Sequence, residues 1–274
     1  MNLFTCMQTN SSCYKGTTTG KPVGILFHDT GAGNPNIKRY VQPSNDDPNK
    51  AELIKKIGKN EYNNSWNQVA VDAGLNAWIG KLADGSIATC QSMPWNYRPW
   101  GCGSGVHGSC NGSKNVKNSP FWIQFEICDD GYKSKDYFDK VYKEAVEFAA
   151  YLCKMFGFDP LGSVQYNGVV VPVILCHKDA YNLGLGSNHG DVLTWWNKYG
   201  KTMQDTRNDV AALLKEQEKP QPPQKTETQI AEEWAVENGL IKGYPNGDFG
   251  WSDNMTRAQF VTLLYRYNKM IDGI

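Results

Sequence analysis

The chain has 274 residues and equal numbers of basic and acidic side chains, 28 of each, so its formal net charge is zero. Hydrophobic residues make up 40% and charged residues 20%, the composition of a folded chain rather than a disordered one. Balanced charge argues against a general nucleic-acid binder, which needs a basic face. The longest apolar run, 169–176 with Pro172 inside it, is far too short to span a bilayer.

Met1 to Ser12 is polar and lacks the positive start and apolar stretch of a secretory signal. The expectation is a protein made in the cytoplasm that needs another exit to act outside. Val23 to His28 reads as a short strand, followed by a turn at Asp29-Thr30-Gly31. Short helices are expected over 52–57 and 66–71. Segments 78–82 and 86–89 flank Ala83-Asp84-Gly85 and predict a hairpin. Phe121 to Cys128 alternates, with Phe121, Ile123, Phe125 and Ile127 on one face and Trp122, Gln124, Glu126 and Cys128 on the other. Tyr137 to Phe156 repeats Val141, Ala145, Phe148 and Leu152 at helical spacing and stops at Gly157. The Asn167-Gly168 turn launches a strand expected to run from Val169 to Cys176. A last helix spans Met203 to Leu214. Together these predict an α/β domain over 1–214, a mixed central sheet flanked by helices.

Residues 215–228 contain prolines at 220, 222 and 223 and no other apolar residue. Such a stretch cannot bury a core and reads as a linker. The remaining 229–274 predicts a small helical domain. Ile230 to Asn238 forms one helix, closed by Gly239. Thr256-Arg257-Ala258-Gln259 is a capping box that opens a second, with Phe260, Leu263, Leu264 and Tyr267 as its apolar stripe.

The eight cysteines show no zinc-finger spacing. Free, mostly buried thiols are expected, with Cys102 and Cys110 the pair best placed to cross-link if oxidised. The four histidines are more informative. His28 and His177 each follow a predicted strand directly, and strand ends are rigid platforms for ligands. His189 and Asp191 share a glycine-rich loop. Two histidines and a carboxylate with an open fourth position suit catalytic zinc. Glu126 sits mid-strand beside apolar neighbours, where a carboxylate either pairs or serves a functional face as general base.

Five segments, in order, carry a resemblance. They are V-G-I-L-F-H-D-T-G (23–31), R-Y-V-Q-P (39–43), W-I-G-K-L-A-D-G-S-I-A (78–88), F-W-I-Q-F-E-I-C (121–128) and C-H-K-D-A-Y-N-L-G-L-G-S-N-H-G-D-V-L-T-W-W (176–196). With them, residues 23–210 resemble the zinc-dependent N-acetylmuramoyl-L-alanine amidases of bacteriophage endolysins and bacterial autolysins, whose fold the animal peptidoglycan-recognition proteins share. The resemblance implies one catalytic Zn2+ held by His28, His177 and Asp191. A competing set is His28, His177 and His189, with Asp191 orienting His189; spacing does not decide between them. It also implies Glu126 as general base and His189 as the group that stabilises the oxyanion. Thr30 supplies either a hydroxyl or a turn.

The implied substrate is bacterial peptidoglycan, cut between N-acetylmuramic acid and L-alanine of the stem peptide. The chain departs from its relatives at Trp100-Gly101, where a tryptophan–histidine pair is common, and at Asn76, where many carry histidine. His107 lies in a loop of its own, and Tyr62 is the candidate for a tyrosine that some phage enzymes use. Met93 to Gly103, rich in aromatics, proline and glycine, is a candidate wall of the substrate groove.

The tail W-A-V-E-N-G-L-I-K-G-Y-P-N-G-D-F (234–249) with T-R-A-Q-F (256–260) resembles one surface-layer homology repeat. That implies a secondary cell-wall polymer as partner. Such repeats usually come in threes, and a homodimer would multiply a single weak one. Asn246, Asp248 and Asp253 do not follow the calcium-loop pattern of the EF-hand. The reading is a phage or prophage endolysin acting at the cell wall after release. The alternatives are a bacterial autolysin and a non-catalytic peptidoglycan-binding protein.

Overall fold

In the computed structural model, which describes residues 1–218 and 225–272, the alternating segments become strands of one six-stranded sheet. The chain divides into two compact units, 1–218 and 219–274. The first runs β1 (Leu3–Thr5), α1 (Ser12–Gly16), β2 (Lys21–Asp29), α2 (Lys50–Ile57), β3 (Ala77–Lys81), β4 (Ile87–Gln91), β5 (Pro120–Ile127), α3 (Lys135–Phe156), β6 (Ser163–Tyr166), β7 (Val169–Pro172), β8 (Ile174–Cys176), α4 (His177–Asn182), α5 (Val192–Lys198) and α6 (Met203–Glu218). The sheet order is β1-β4-β3-β5-β2-β8. Only β3 and β4, the predicted hairpin, pair antiparallel; the other neighbours are parallel. This is the expected mixed sheet with helices around it.

β2 and β5 are the long central strands, buried on both faces as parallel strands usually are. One face carries Ile25, Phe27, Ile123, Phe125 and Ile127, which pack with α3, α5 and α6. The predicted helix stripe, Val141, Ala145, Phe148 and Leu152, lies in that core, as do Trp195 and Trp196. The Ser134 hydroxyl caps α3 by accepting from Tyr137 N, and Gly157 ends it at φ +68°. The opposite face of the central strands carries His28, Glu126 and Trp78 side by side, because His28 pairs with Glu126 and Glu126 with Trp78 in register.

Three expectations are corrected. The run Val169–Cys176 is two strands: β7 pairs with β6 around the Asn167-Gly168 turn, and β8 joins the main sheet. Pro172 has no N–H to continue a ladder, so the chain changes partners there. Residues 66–71 form no helix. Trp66 instead donates its N–H to Tyr40 O and sets its ring edge-on against Trp78. α6 continues through Lys215–Glu218 into the stretch read as linker, since Lys, Glu and Gln favour helix and the first proline comes only at 220. Prolines 220, 222 and 223 lie outside the described residues. All eight cysteines are buried and unbridged.

The second unit holds α7 (Glu227–Glu237) and α8 (Arg257–Asp272), joined by turns. α7 starts earlier than its apolar pattern indicated because Thr226 and Gln229 form a capping box. Thr256 and Gln259 bond reciprocally at the start of α8, as expected. Among the described residues of this unit Leu240 is the buried apolar side chain, while Trp234, Phe260, Leu264 and Tyr267 remain exposed. The α8 stripe is therefore largely open, with Leu263 half-buried, since so short a unit cannot cover it alone. Among the described residues no helix is long and apolar enough to cross a membrane.

Candidate metal centre

Three elements end at one point. His28 stands near the C-terminal end of β2, and His177 is the first residue of α4, directly after β8. β2 and β8 are parallel neighbours, so both histidines emerge at the same edge of the sheet. Asp191 precedes α5 with φ +45° and ψ −137°, a backbone conformation that costs a non-glycine residue about 1–3 kcal/mol.

The three side chains converge. His177 Nδ1 lies 2.9 Å from Asp191 Oδ2, His28 Nδ1 lies 3.9 Å from the same oxygen, and the two Nδ1 atoms are 3.1 Å apart. Ligands at about 2.0–2.1 Å from a tetrahedral zinc ion stand about 3.3 Å from one another, the size of this triangle. Asp191 Oδ2 is buried with no hydrogen-bond donor of its own, an acceptor that a cation would satisfy. These residues therefore fit a metal ion.

The imidazoles are fixed from behind. His28 Nε2 lies 3.1 Å from Gln124 Oε1. A glutamine carbonyl only accepts, so the His28 proton sits on Nε2 and Nδ1 offers its lone pair to the site. Gln124 Nε2 in turn donates to Asn111 Oδ1 at 2.8 Å. His177 Nε2 lies 3.2 Å from Ser187 Oγ, whose hydroxyl donates to Cys102 O at 3.3 Å. The two rings meet edge to face at 4.9 Å and 88°. Outward bonds of this kind set the tautomer of a metal-binding histidine.

Electrostatics agree. Burial opposes the Asp191 charge, but the neighbouring His177 and His28 imidazoles outweigh it and hold the carboxyl below its usual range. Burial first, and then the charges of Asp191, Asp29 and Asp129, push Glu126 well above the usual carboxylate range. Glu126 Oε2 is buried without a partner. Burial and the neighbouring Asp191 raise Asp29 to about 7, against the bond it accepts from Tyr132. Without a cation the site holds more carboxylates than it can ionise together.

His189 is exposed, with its ring 4.6 Å from that of His177 and its Nδ1 3.1 Å from Ser187 Oγ. The group of ligand atoms that the fold brings together is His28, His177 and Asp191. Thr30 is occupied by Asp129: its hydroxyl donates to Oδ2 at 2.7 Å and accepts from Asp129 N at 3.2 Å. His107 lies on a separate loop, bonded through its backbone to Gly184 and Asn167. Tyr62 is exposed in a turn.

At Gly101 a β-carbon would lie 2.4 Å from Leu75 Cδ2 and 2.6 Å from Gln124 Oε1. No side chain fits there, which explains why glycine stands in that place. Of the expected groove wall, Met93 is buried and Trp95 packs on Phe148 in the core. Trp100 lines a surface groove of about 570 Å³ with Tyr166, Asn111 and Lys114.

Sequence reasoning missed Gln124, Asn111, Ser187 and Asp29. Gln124 carried a signal, since it shares a strand face with Glu126 and is equally polar. Ser187 and Asn111 lie in loops of many polar residues and carried none.

Residues 233–261 match the family model of the S-layer homology domain. None of the curated proteins matches the chain. Among solved structures, the chain is similar to the Staphylococcus aureus hydrolase AmiA in complex with its ligand, at 17% identity and a TM-score of 0.47, over 80% of this chain and 87% of that one. The catalytic domain of XlyA matches at 12% identity and a TM-score of 0.46, over 77% of this chain and 99% of that one. PlyL matches at 16% identity and a TM-score of 0.42, over 77% and 96%.

Proposed function

We propose that residues 1–218 form a zinc-dependent N-acetylmuramoyl-L-alanine amidase. The observation that carries the reading is the convergence of His28 Nδ1, His177 Nδ1 and Asp191 Oδ2, with both Nε2 atoms held outward and Glu126 on the neighbouring strand. The ordered motifs of the sequence point to the same family. A metal ion held by these three residues would polarise the scissile carbonyl and acidify water at an open position.

Glu126 is the group that moves protons. It accepts one from the attacking water and passes one to the departing amine of L-alanine. A cation held by the three ligands would favour its ionised form, and its raised affinity for a proton then suits the first half of that task. His189, at the rim, donates to the oxyanion. Gln124 and Ser187 hold the histidine rings in place. Thr30 and Asp129 fix the turn beyond His28. The groove with Trp100 and Tyr166 offers aromatic faces to sugar or stem peptide. A non-catalytic binding protein would have no need of Glu126 or of a complete ligand set.

The second unit, through its S-layer homology segment, holds the enzyme on a secondary polymer of the wall. Catalysis and anchoring together describe a lytic enzyme that acts at the cell wall, in the manner of a phage endolysin. The deciding experiment is mass spectrometry of products from purified Gram-positive walls, with and without chelation. Free stem peptides with a new N-terminal L-alanine are expected, lost on chelation and regained with zinc. Cleavage at another bond would sink the assignment.

A further inference from the structure

Two of the eight cysteines meet next to the supports of the metal centre. Cys102 and Cys110 are both fully buried in one apolar cluster. Both address a single acceptor: Cys110 N donates to Leu185 O at 2.9 Å, and Cys102 Sγ lies 3.6 Å from it. Their thiols are in side-chain contact. Between them, residues 103–109 leave the core and return, so the pair closes the mouth of an exposed loop. Cys102 also anchors what holds the histidines. Cys102 O accepts from Ser187 N and Oγ, and Cys102 N donates to Asn111 Oδ1, the partner of Gln124.

We propose that Cys102 and Cys110 form a disulfide that staples this loop and, through Ser187 and Asn111, stiffens the supports of both metal histidines. Its effect on the site rests on the metal reading above, whereas the cross-link does not. The oxidant is a low-molecular-weight disulfide such as oxidised glutathione. One cysteine thiolate attacks it and releases one small thiol. The second thiolate attacks the mixed disulfide and releases the other. One small-molecule S–S bond is reduced, one protein S–S bond forms, and the two cysteine protons end on the released thiols. Contact with Cys102, together with burial, holds the Cys110 thiol above its usual range. Exchange is therefore slow in the closed fold and proceeds as the loop opens or the chain folds.

A second pair, Cys6 and Cys90, is also in contact, near the β1–β4 edge of the sheet. Mapping must separate the two. The full chain is purified in reductant, then either incubated natively with oxidised glutathione or refolded from urea in a glutathione redox buffer. Free thiols are alkylated and the digest is read by mass spectrometry. The expected result is a peptide pair joined through Cys102 and Cys110. With it should come a rise of the thermal midpoint by roughly 5–10 °C and a several-fold slower release of zinc to a chelator. Cys110→Ser, or Cys102→Ala should the first fail to fold, loses the link and both gains. Alkylation of both thiols under both regimes, or their linkage to other cysteines, overturns the proposal. A mapped cross-link with unchanged zinc release overturns the coupling to the site. Failure of zinc to bind in either redox state counts against the metal reading, because the cross-link is mapped without metal.

Discussion

Replacing Glu126 by glutamine preserves the shape of the side chain and removes its ability to take a proton. Because Glu126 is not among the converging ligand atoms, the variant should keep its metal and lose turnover by about 10²–10⁴-fold. Metal content by elemental analysis and wall hydrolysis are read together; full activity would remove Glu126 from the mechanism. Gln124 makes a different kind of test. Gln124→Leu strips the acceptor from His28 Nε2, and metal affinity should fall about 10- to 100-fold. Asp29 sets the pH response. Its folded pKa, about 7, lies above the ordinary unfolded value, so its contribution is fully present below about pH 4. That contribution is lost as pH rises through 7. Metal-free protein should therefore lose up to about 4 kcal/mol of stability from pH 4 to 7, seen as a falling urea midpoint. Asp191, held below its usual range, acts oppositely and only in acid. Asp29→Asn removes its share of the decline and leaves that of Glu126, whose carboxyl is raised in the same direction, and zinc shrinks both by favouring the ionised carboxylates.

At the scale of elements, the site depends on segments that no periodicity describes. The loop 94–103 passes so close to β5 that Gly101 leaves no room for a β-carbon beside Gln124 Oε1. Gly101→Ala should push Gln124 away from His28, costing about 1–3 kcal/mol of stability and weakening metal binding along with it. Thermal unfolding and a zinc titration measure the two effects. Regular elements were far more legible. The alternation of 121–128 and the spacing of 137–156 describe β5 and α3 because each buries a face at its own period. The run 169–176 misled because apolar residues look alike whether they pair with a hairpin or with the main sheet. Pro172 was the only local hint that the chain changes partners there.

For the whole molecule, the two units make separable predictions. A chain ending at residue 218, the limit of the first compact unit, should still cleave a soluble muramyl peptide. It should sediment less with intact walls than the full chain does. Equal sedimentation would deny the S-layer homology segment its anchoring role.

His28, His177 and Asp191 were readable as candidates from the sequence because strand ends and glycine-rich loops are local features. So were the α/β class and the capping box of α8. Which carboxylate or imidazole completes the triad was not readable, since His189 and Asp191 are only two residues apart and equally able to bind metal. The tertiary structure brings Asp191, not His189, to the two histidines. The turn before α5 aims Asp191 Oδ2 at the two Nδ1 atoms, while His189 Nδ1 faces Ser187. The same holds for Gln124 and Ser187, whose roles depend on what lies across space rather than along the chain. Spacing records which residues share an element, and only packing brings atoms from separate elements within 3–4 Å of one another.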